Sequence, residues 1–562
     1  MGLTMKTKWL AILSAIALLA PAGGVYAATN GTHVTLHDVL VKHPGENITI
    51  TGTSSYSVLL MKVVKPDGTL LYFDQTKPTG GNYSLTFALP VDAATGVYHI
   101  VTGQNNDVAV DDFEVTPDPT QGGGGGGGGG IPGGGGGNKP PSDILDIPTD
   151  MMQVKTTTNS DKQKVLDITL VDSKLSDLID ADGSGKKVIN IKVAEAGDVV
   201  HMNLTVDAVH KLDNKAPEST FQVTTSLGTI SLPTNALRKA LDGLQLPVEN
   251  KVQVTLTKVL PSEEDLVKQT IHNHGGEQAS TPVDFLVQAV LADGQTVDVQ
   301  DLAAYVSHTL NLSAAVGQVD NNNLAGLYVD ASRNFVYPMP TLFTVAGGQK
   351  QGSILRKGNS VYALATNHKS FADVTSDHYA KTSIERLANK LVINGYEDSS
   401  FRPAGHVTRA EFVTLLVRSL GILPASELTG NAQFRDVSAD EWYAGSIQAA
   451  VQAGLVKGFE DKTFRPNLEI SRQEMVQMMV NGLRSVDPKQ KLSAAEVDTT
   501  LRLFPDASSI EGWAAEAVAI AVRAGIVHGM EDQTFAPQGT ADRAQSAVVL
   551  DKMMQSLHFI NE

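Results

Sequence analysis

Three arginines hold positions where a cation needs a reason. Arg409, Arg472 and Arg543 stand in the tetrapeptides TRAE, SRQE and DRAQ, successive copies being 63 and 71 residues apart. Each tetrapeptide fits a helix capping box, with Thr408, Ser471 and Asp542 as N-caps and Glu411, Glu474 and Gln545 reaching back from three residues later. That accounts for the outer residues and not for the arginine. The first helical position already carries about half a positive charge, so a cation there costs a few tenths of a kcal/mol. Its threefold recurrence points to an anion, since free N–H groups and a guanidinium fork together suit a carboxylate or a phosphate. A second reading pairs each arginine with a carboxylate of a neighbouring repeat.

Flat side chains recur with the arginines. Tyr379, Trp442 and Trp513 follow Asp373, Asp436 and Asp506 by six, six and seven residues. They fit either an aromatic platform for a sugar or plugs in a core between repeats. Gly395, Gly458 and Gly529 open the stretches GYEDSSFRP, GFEDKTFRP and GMEDQTFAP, and serve a tight turn or a close approach of backbone to a ligand.

The elements that must position these residues form a threefold repeat. Phe371, Phe434 and Phe504 each start an F-x-D stretch. A first helix is marked by Ile384, Leu387 and Leu391, then by Ile447, Val451 and Leu455. A second carries Phe412, Leu415, Leu416 and Leu420, then Met475, Met478, Met479 and Leu483, with Val549 and Leu550 in the last copy. Two helices cannot bury both stripes alone, and three packed units can. The pattern F-x-D, W/Y-A, G-[YF]-x-D-x-x-F-x-P, [ST]-R-x-E resembles the S-layer homology (SLH) triad, from Phe371 to about Met554. The resemblance implies an all-α, pseudo-threefold bundle with ligand grooves between repeats. It implies non-covalent binding of a secondary cell-wall polysaccharide linked to peptidoglycan, often one with pyruvylated amino sugar. Carried onto this chain, the polymer-binding set is Arg409, Arg472, Arg543, Tyr379, Trp442, Trp513, Asp373, Asp436, Gly395, Gly458 and Gly529. The third repeat departs furthest, with Asp542, Gln545 and Ala536 at pattern positions, so its groove is expected to be weaker or closed.

The remaining chain reads as cargo and tether. Residues 1–27 have the layout of an export signal: Lys6 and Lys8, an apolar run from Trp9 to Ala20, and small residues at Val25 and Ala27. That run is short of the ~20 residues a spanning helix needs, so no membrane insertion is expected after cleavage. Residues 28–118 hold seven strand candidates and resemble immunoglobulin-like sandwich modules of bacterial surface proteins. A glycine-rich linker follows at 119–142, spanning roughly 20–25 Å. Residues 143–370 are read as a mostly-β surface module with one short helix, Asn235 to Leu244 with Asn235 as N-cap, and a stretch PSEEDL (Pro261 to Leu266) that fits a helix start or a solvated loop; they resemble modules that precede wall-anchoring triads in exported Gram-positive proteins. The repeats occupy 371–433, 434–503 and 504–562.

Composition narrows the chemistry. The chain has 562 residues, a net charge of −17 and no cysteine. Thiolate metal sites, disulfides and a cysteine nucleophile are excluded, and the acidic balance argues against nucleic acid. Outside the repeats no assembled acid–base or nucleophile–base set is recognisable. DADGSG (Asp180 to Gly185) lacks the downstream glutamate of a calcium loop, and HNH (His272 to His274) has no supporting ligands. The expectation is a non-catalytic surface protein without metal or cofactor, self-assembling in an S-layer or displaying an adhesion module. The alternative places carbohydrate binding or carbohydrate chemistry in 143–370.

Overall fold

A computed structural model describes residues 33–116 and 144–562, apart from 38–41, 45, 57–58, 67–69, 91–92, 105–106, 173, 176, 179–187, 300–301 and 426–433. The expected signal segment, the glycine-rich linker and Asp180 to Gly185 lie outside the described residues. The chain divides into two compact units, Met1–Gly137 and Asn138–Glu562.

In the first unit, strands Asn47–Thr53 and Asn82–Ala88 pair antiparallel. Leu70–Thr76, Leu59–Val64, Gly96–Gln104 and Asp107–Val115 form a four-stranded antiparallel sheet. Alternation buries Ile48 and Ile50 from one sheet against Met61, Tyr98 and Phe113 from the other. Six of the seven predicted strands form. The seventh candidate, from His33, instead crosses between sheets: Thr35 and His37 donate to Thr53 and Thr51, and Lys42 then donates to Glu114.

The second unit begins with a mixed β-rich module. Its seven-stranded sheet runs from Thr341–Ala346 to Ile144–Asp146, and its ten-stranded sheet has Phe335–Met339 as one edge. Both sheets feed one core around Phe221, Phe285, Ile354 and Tyr362. Where one helix was expected, the described residues include α1 (Val206–Lys215), α2 (Thr234–Gly243) and α3 (Pro261–Asn273). Asn235 is not the cap of α2. The helix starts one residue earlier, where the buried Thr234 hydroxyl donates to Asp213 and the Ser219 carbonyl.

Helices make up the rest. Each repeat has a first helix, α4 (Lys381–Asn389), α6 (Ala444–Gln452) or α9 (Gly512–Arg523). Each has a second, α5 (Arg409–Ser419), α7 (Arg472–Val486) or α10 (Arg543–Ser556). An unforeseen helix, α8 (Ala494–Leu501), joins the second and third repeats. One apolar core runs through all three, from Phe371 to Ile560. Thr408 and Ser471 accept from the N–H groups of Glu411 and Glu474, whose carboxylates reach back to the cap N–H groups. Asp542 caps α10 by accepting from the Gln545 N–H.

The β-rich module is fixed directly to the helices. Thr341 N–H donates to the Phe559 carbonyl at 2.7 Å, and Asn561 both accepts from and donates to the Phe343 backbone. The buried Lys390 ammonium donates to the Asn321 and Leu324 carbonyls, and burial presses its pKa down to about 7.

Candidate functional site: grooves between repeats

The F-x-D aspartates set the loops that shape the grooves. Asp373 accepts from the backbone N–H groups of Phe401 and Arg402, Asp436 from Phe464 and Arg465, and Asp506 from Phe535 and Ala536, all at 2.6–2.8 Å. Arg402, Arg465 and Ala536 sit at φ +57°, +58° and +54°, so each carboxylate latches a turn that L-residues disfavour. Burial opposes ionisation of Asp373, but its backbone donors outweigh it and hold the carboxyl below its ordinary range. Gly395 and Gly458 do not adopt positive φ. A Cβ at either would strike the ring of Phe371 or Phe434, so close packing under the F-x-D phenylalanine is what requires glycine. Gly529 is less tight, with the Phe504 ring 3.1 Å from such an atom.

The arginines link the repeats in a ring. Arg409 Nε donates to the Phe464 carbonyl of repeat two, Arg472 Nε to Phe535 of repeat three, and Arg543 Nε to Phe401 of repeat one, at 2.8–3.0 Å. Single β-bridges follow the same cycle: Thr408 with Glu469, Ser471 with Thr540, and His406 with Asp542. The three sites then differ. Arg409 is buried and ion-paired to Glu474 at 2.7 Å, as the neighbouring-carboxylate reading expects. Arg472 meets Gln545 at the same position, plus the His528 carbonyl. Among the described residues, Arg543 adds a hydrogen bond to the Asn394 carbonyl and no ion pair. Burial lowers the pKa of Arg409, with Glu474 opposing, and that of Arg472, with Asp542 opposing.

Tyr379, Trp442 and Trp513 are 68%, 64% and 54% exposed, which excludes the core-plug reading. Trp513 of repeat three walls a groove of about 600 Å³ whose floor holds Arg409, Glu474 and the Gly454 to Phe459 turn of repeat two. Tyr379 of repeat one stands within electrostatic reach of Arg472 and Asp542. Trp442 of repeat two lines a smaller cavity with Leu391, Asn394, Thr414 and Arg418 of repeat one. Trp513 and Trp442 therefore each come from a different repeat than the loop they face. Sequence reasoning found these rings and missed Gln477, Asn481, Thr414 and Arg418, which line the cavities from the second helices; no recurring residue type marks them.

A family model described as the S-layer homology domain matches residues 370–413, 433–476 and 503–547. The chain carries three S-layer homology domains. The chain is similar to an amylopullulanase of Thermoanaerobacterium thermosulfurigenes, 29% identical over 397 residues, 70% of this chain and 19% of that protein. That match is too long to be confined to the repeats. Exoglucanase XynX of Acetivibrio thermocellus is 35% identical over 33% of this chain and 16% of its own length. The surface-layer 125 kDa protein of Lysinibacillus sphaericus is 29% identical over 32% and 14%. The chain thus spans less than a fifth of each of these relatives. The SLH domains mark a cell-surface protein, and no described helix is long and apolar enough to cross a membrane.

Proposed function

We propose that the SLH repeats form a pseudo-threefold receptor holding the protein non-covalently to a secondary cell-wall polysaccharide. One observation carries this reading: three exposed aromatic rings, of which Trp513 and Trp442 are each offered by one repeat to a loop of another and Tyr379 stands within electrostatic reach of Arg472. Stacked rings recognise sugar faces, and guanidinium groups beside them suit an acidic substituent such as a pyruvate ketal. Arg472 and Arg543 are better placed than Arg409 to attract an anion, because among the described residues neither is ion-paired to a carboxylate, and at Arg472 the neutral Gln545 stands where Glu474 meets Arg409. The third repeat's departure therefore favours its groove instead of closing it. Boundaries near 28–118, 143–370 and 371–562 separate an N-terminal sandwich, a β-rich module and the anchor. The displayed modules serve a structural, self-assembling or adhesive role without catalysis. Sedimentation with wall sacculi tests the anchor: binding should vanish once the polymer is stripped.

A second reading draws on the length of the amylopullulanase match, which makes the 143–370 module a carbohydrate-binding or carbohydrate-active part. Product release from wall or plant polysaccharides by the full chain would favour it.

A further inference from the structure

The cavity beside Trp442 departs from its counterpart beside Trp513 in four ways. First, it has a roof. Phe335, Tyr337 and Pro338, from the edge strand of the β-rich module, line it and leave about 270 Å³. Second, repeat one is altered to accept that roof. Leu391 occupies the position of Gly454 and Gly525, which adopt φ +71° and +67°, and it holds φ +61° despite its side chain. That side chain packs on Val267, Ile271 and Val336 of the module. Third, Arg418 is unengaged. Its counterparts Asn481 and Lys552 donate to the Leu455 and Gly525 carbonyls, whereas among the described residues no hydrogen-bond or ion-pair partner meets the Arg418 guanidinium. Fourth, two hydroxyls in the lining are orphaned. Tyr337 is 4% exposed and Thr414 8%, and among the described residues neither hydroxyl oxygen has a hydrogen-bond partner.

A buried hydroxyl without a partner costs about 1–3 kcal/mol, so two of them beside a free guanidinium form an unsatisfied polar lining. The aromatic face of Trp442 completes the chemistry of a sugar site. The volume lies just under the usual range of about 300–1,000 Å³ for small-molecule pockets, enough for one sugar residue and too little for a polymer stretch.

We propose that the β-rich module closes this SLH groove into a pocket for a single carboxylate-bearing sugar residue, with Arg418 on the carboxylate and the Tyr337 and Thr414 hydroxyls on the ring. The pocket is therefore a joint property of module and anchor, and it takes a terminal or branch residue while the Trp513 groove admits chain interior. This rests on the reading of the grooves as polysaccharide sites.

The chain's three tryptophans are Trp9, Trp442 and Trp513, so each of the two cavities contains one. Full-length protein labelled with 5-fluorotryptophan gives a separate fluorine resonance for each, assigned by Trp→Phe variants. The probes are methyl N-acetylhexosaminides, gluco and manno forms, bearing a 4,6-pyruvate ketal, with the uncharged ethylidene acetals as controls. A pyruvylated probe should move both the Trp442 and Trp513 signals. Arg418→Gln and Tyr337→Phe should weaken the Trp442 response by about tenfold or more and leave that of Trp513 intact. Unchanged Trp442 titrations in both variants, or equal response to the uncharged acetal, would overturn the pocket while the grooves stand. A Trp513 response without any Trp442 response would do the same. Silence of both signals would overturn the groove reading itself, and this inference with it.

Discussion

The Trp513 groove and the Trp442 pocket are built from matching positions of one repeat pattern, yet one is open and the other roofed. Gly454 and Leu391 hold the same left-handed turn, and only the leucine has a module to pack against. Asn481 serves its own repeat through the Leu455 carbonyl, while Arg418 faces a cavity. Copies that the sequence pattern makes equivalent become unequal through what lies beside them.

The sharpest way to break this comparison is at the arginines. Arg409→Gln should cost about 3 kcal/mol in urea unfolding at pH 7, because it strands the Glu474 carboxylate and the Phe464 carbonyl. Arg472→Gln should cost less, about 1–2 kcal/mol, since its partners are neutral. Equal costs would mean the two interfaces are energetically alike after all. Next comes the turn: Gly454→Leu should destabilise by about 1–2 kcal/mol, having the strain of Leu391 without its packing, as thermal unfolding would show.

The joint itself has a pH signature. The folded-state pKa of Lys390 is depressed to about 7 from 10.5. The unfolded chain therefore binds a proton that the folded chain lacks between those values, and stability should rise with pH above 7, by up to about 1.4 kcal/mol per unit. Below pH 7 both states are charged and the penalty is full. Calorimetry at pH 7, 8 and 9 should show the rise, and Lys390→Met should flatten it. The smallest effect on folding is expected from Trp513→Ala and Trp442→Ala. Both rings are more than half exposed, so each should shift stability by under about 0.5 kcal/mol while weakening attachment to the wall.

The repeats were legible because their helices announce themselves twice, by apolar spacing and by capping boxes that the structure forms at Thr408 and Ser471. The exposed aromatics were legible as a set by recurrence. The arginines were half legible: their odd electrostatics was visible, but the carbonyls that answer it lie 55, 63 and 142 residues away. The aspartate latches were hidden for the same reason, since a side chain accepting from backbone N–H groups leaves no mark on the residues that donate. In the β-rich module α1 was missed, and PSEEDL at the start of α3 fits a helix start as well as a solvated loop, because short helices between strands share their apolar content. The roof over Trp442 depends on a strand edge meeting a helix far along the chain, which no local pattern encodes.

The most direct measurement of the central claim is sedimentation of the full chain with purified wall sacculi, alongside a Tyr379→Ala, Trp442→Ala, Trp513→Ala triple variant. The three rings stand in solvent, so the variant should fold with near wild-type stability, which the buried arginines would not permit. The account predicts that wild-type protein pellets with intact sacculi and not with stripped ones, and that the folded variant stays in solution. A folded variant that pellets as fully as the wild type would contradict it.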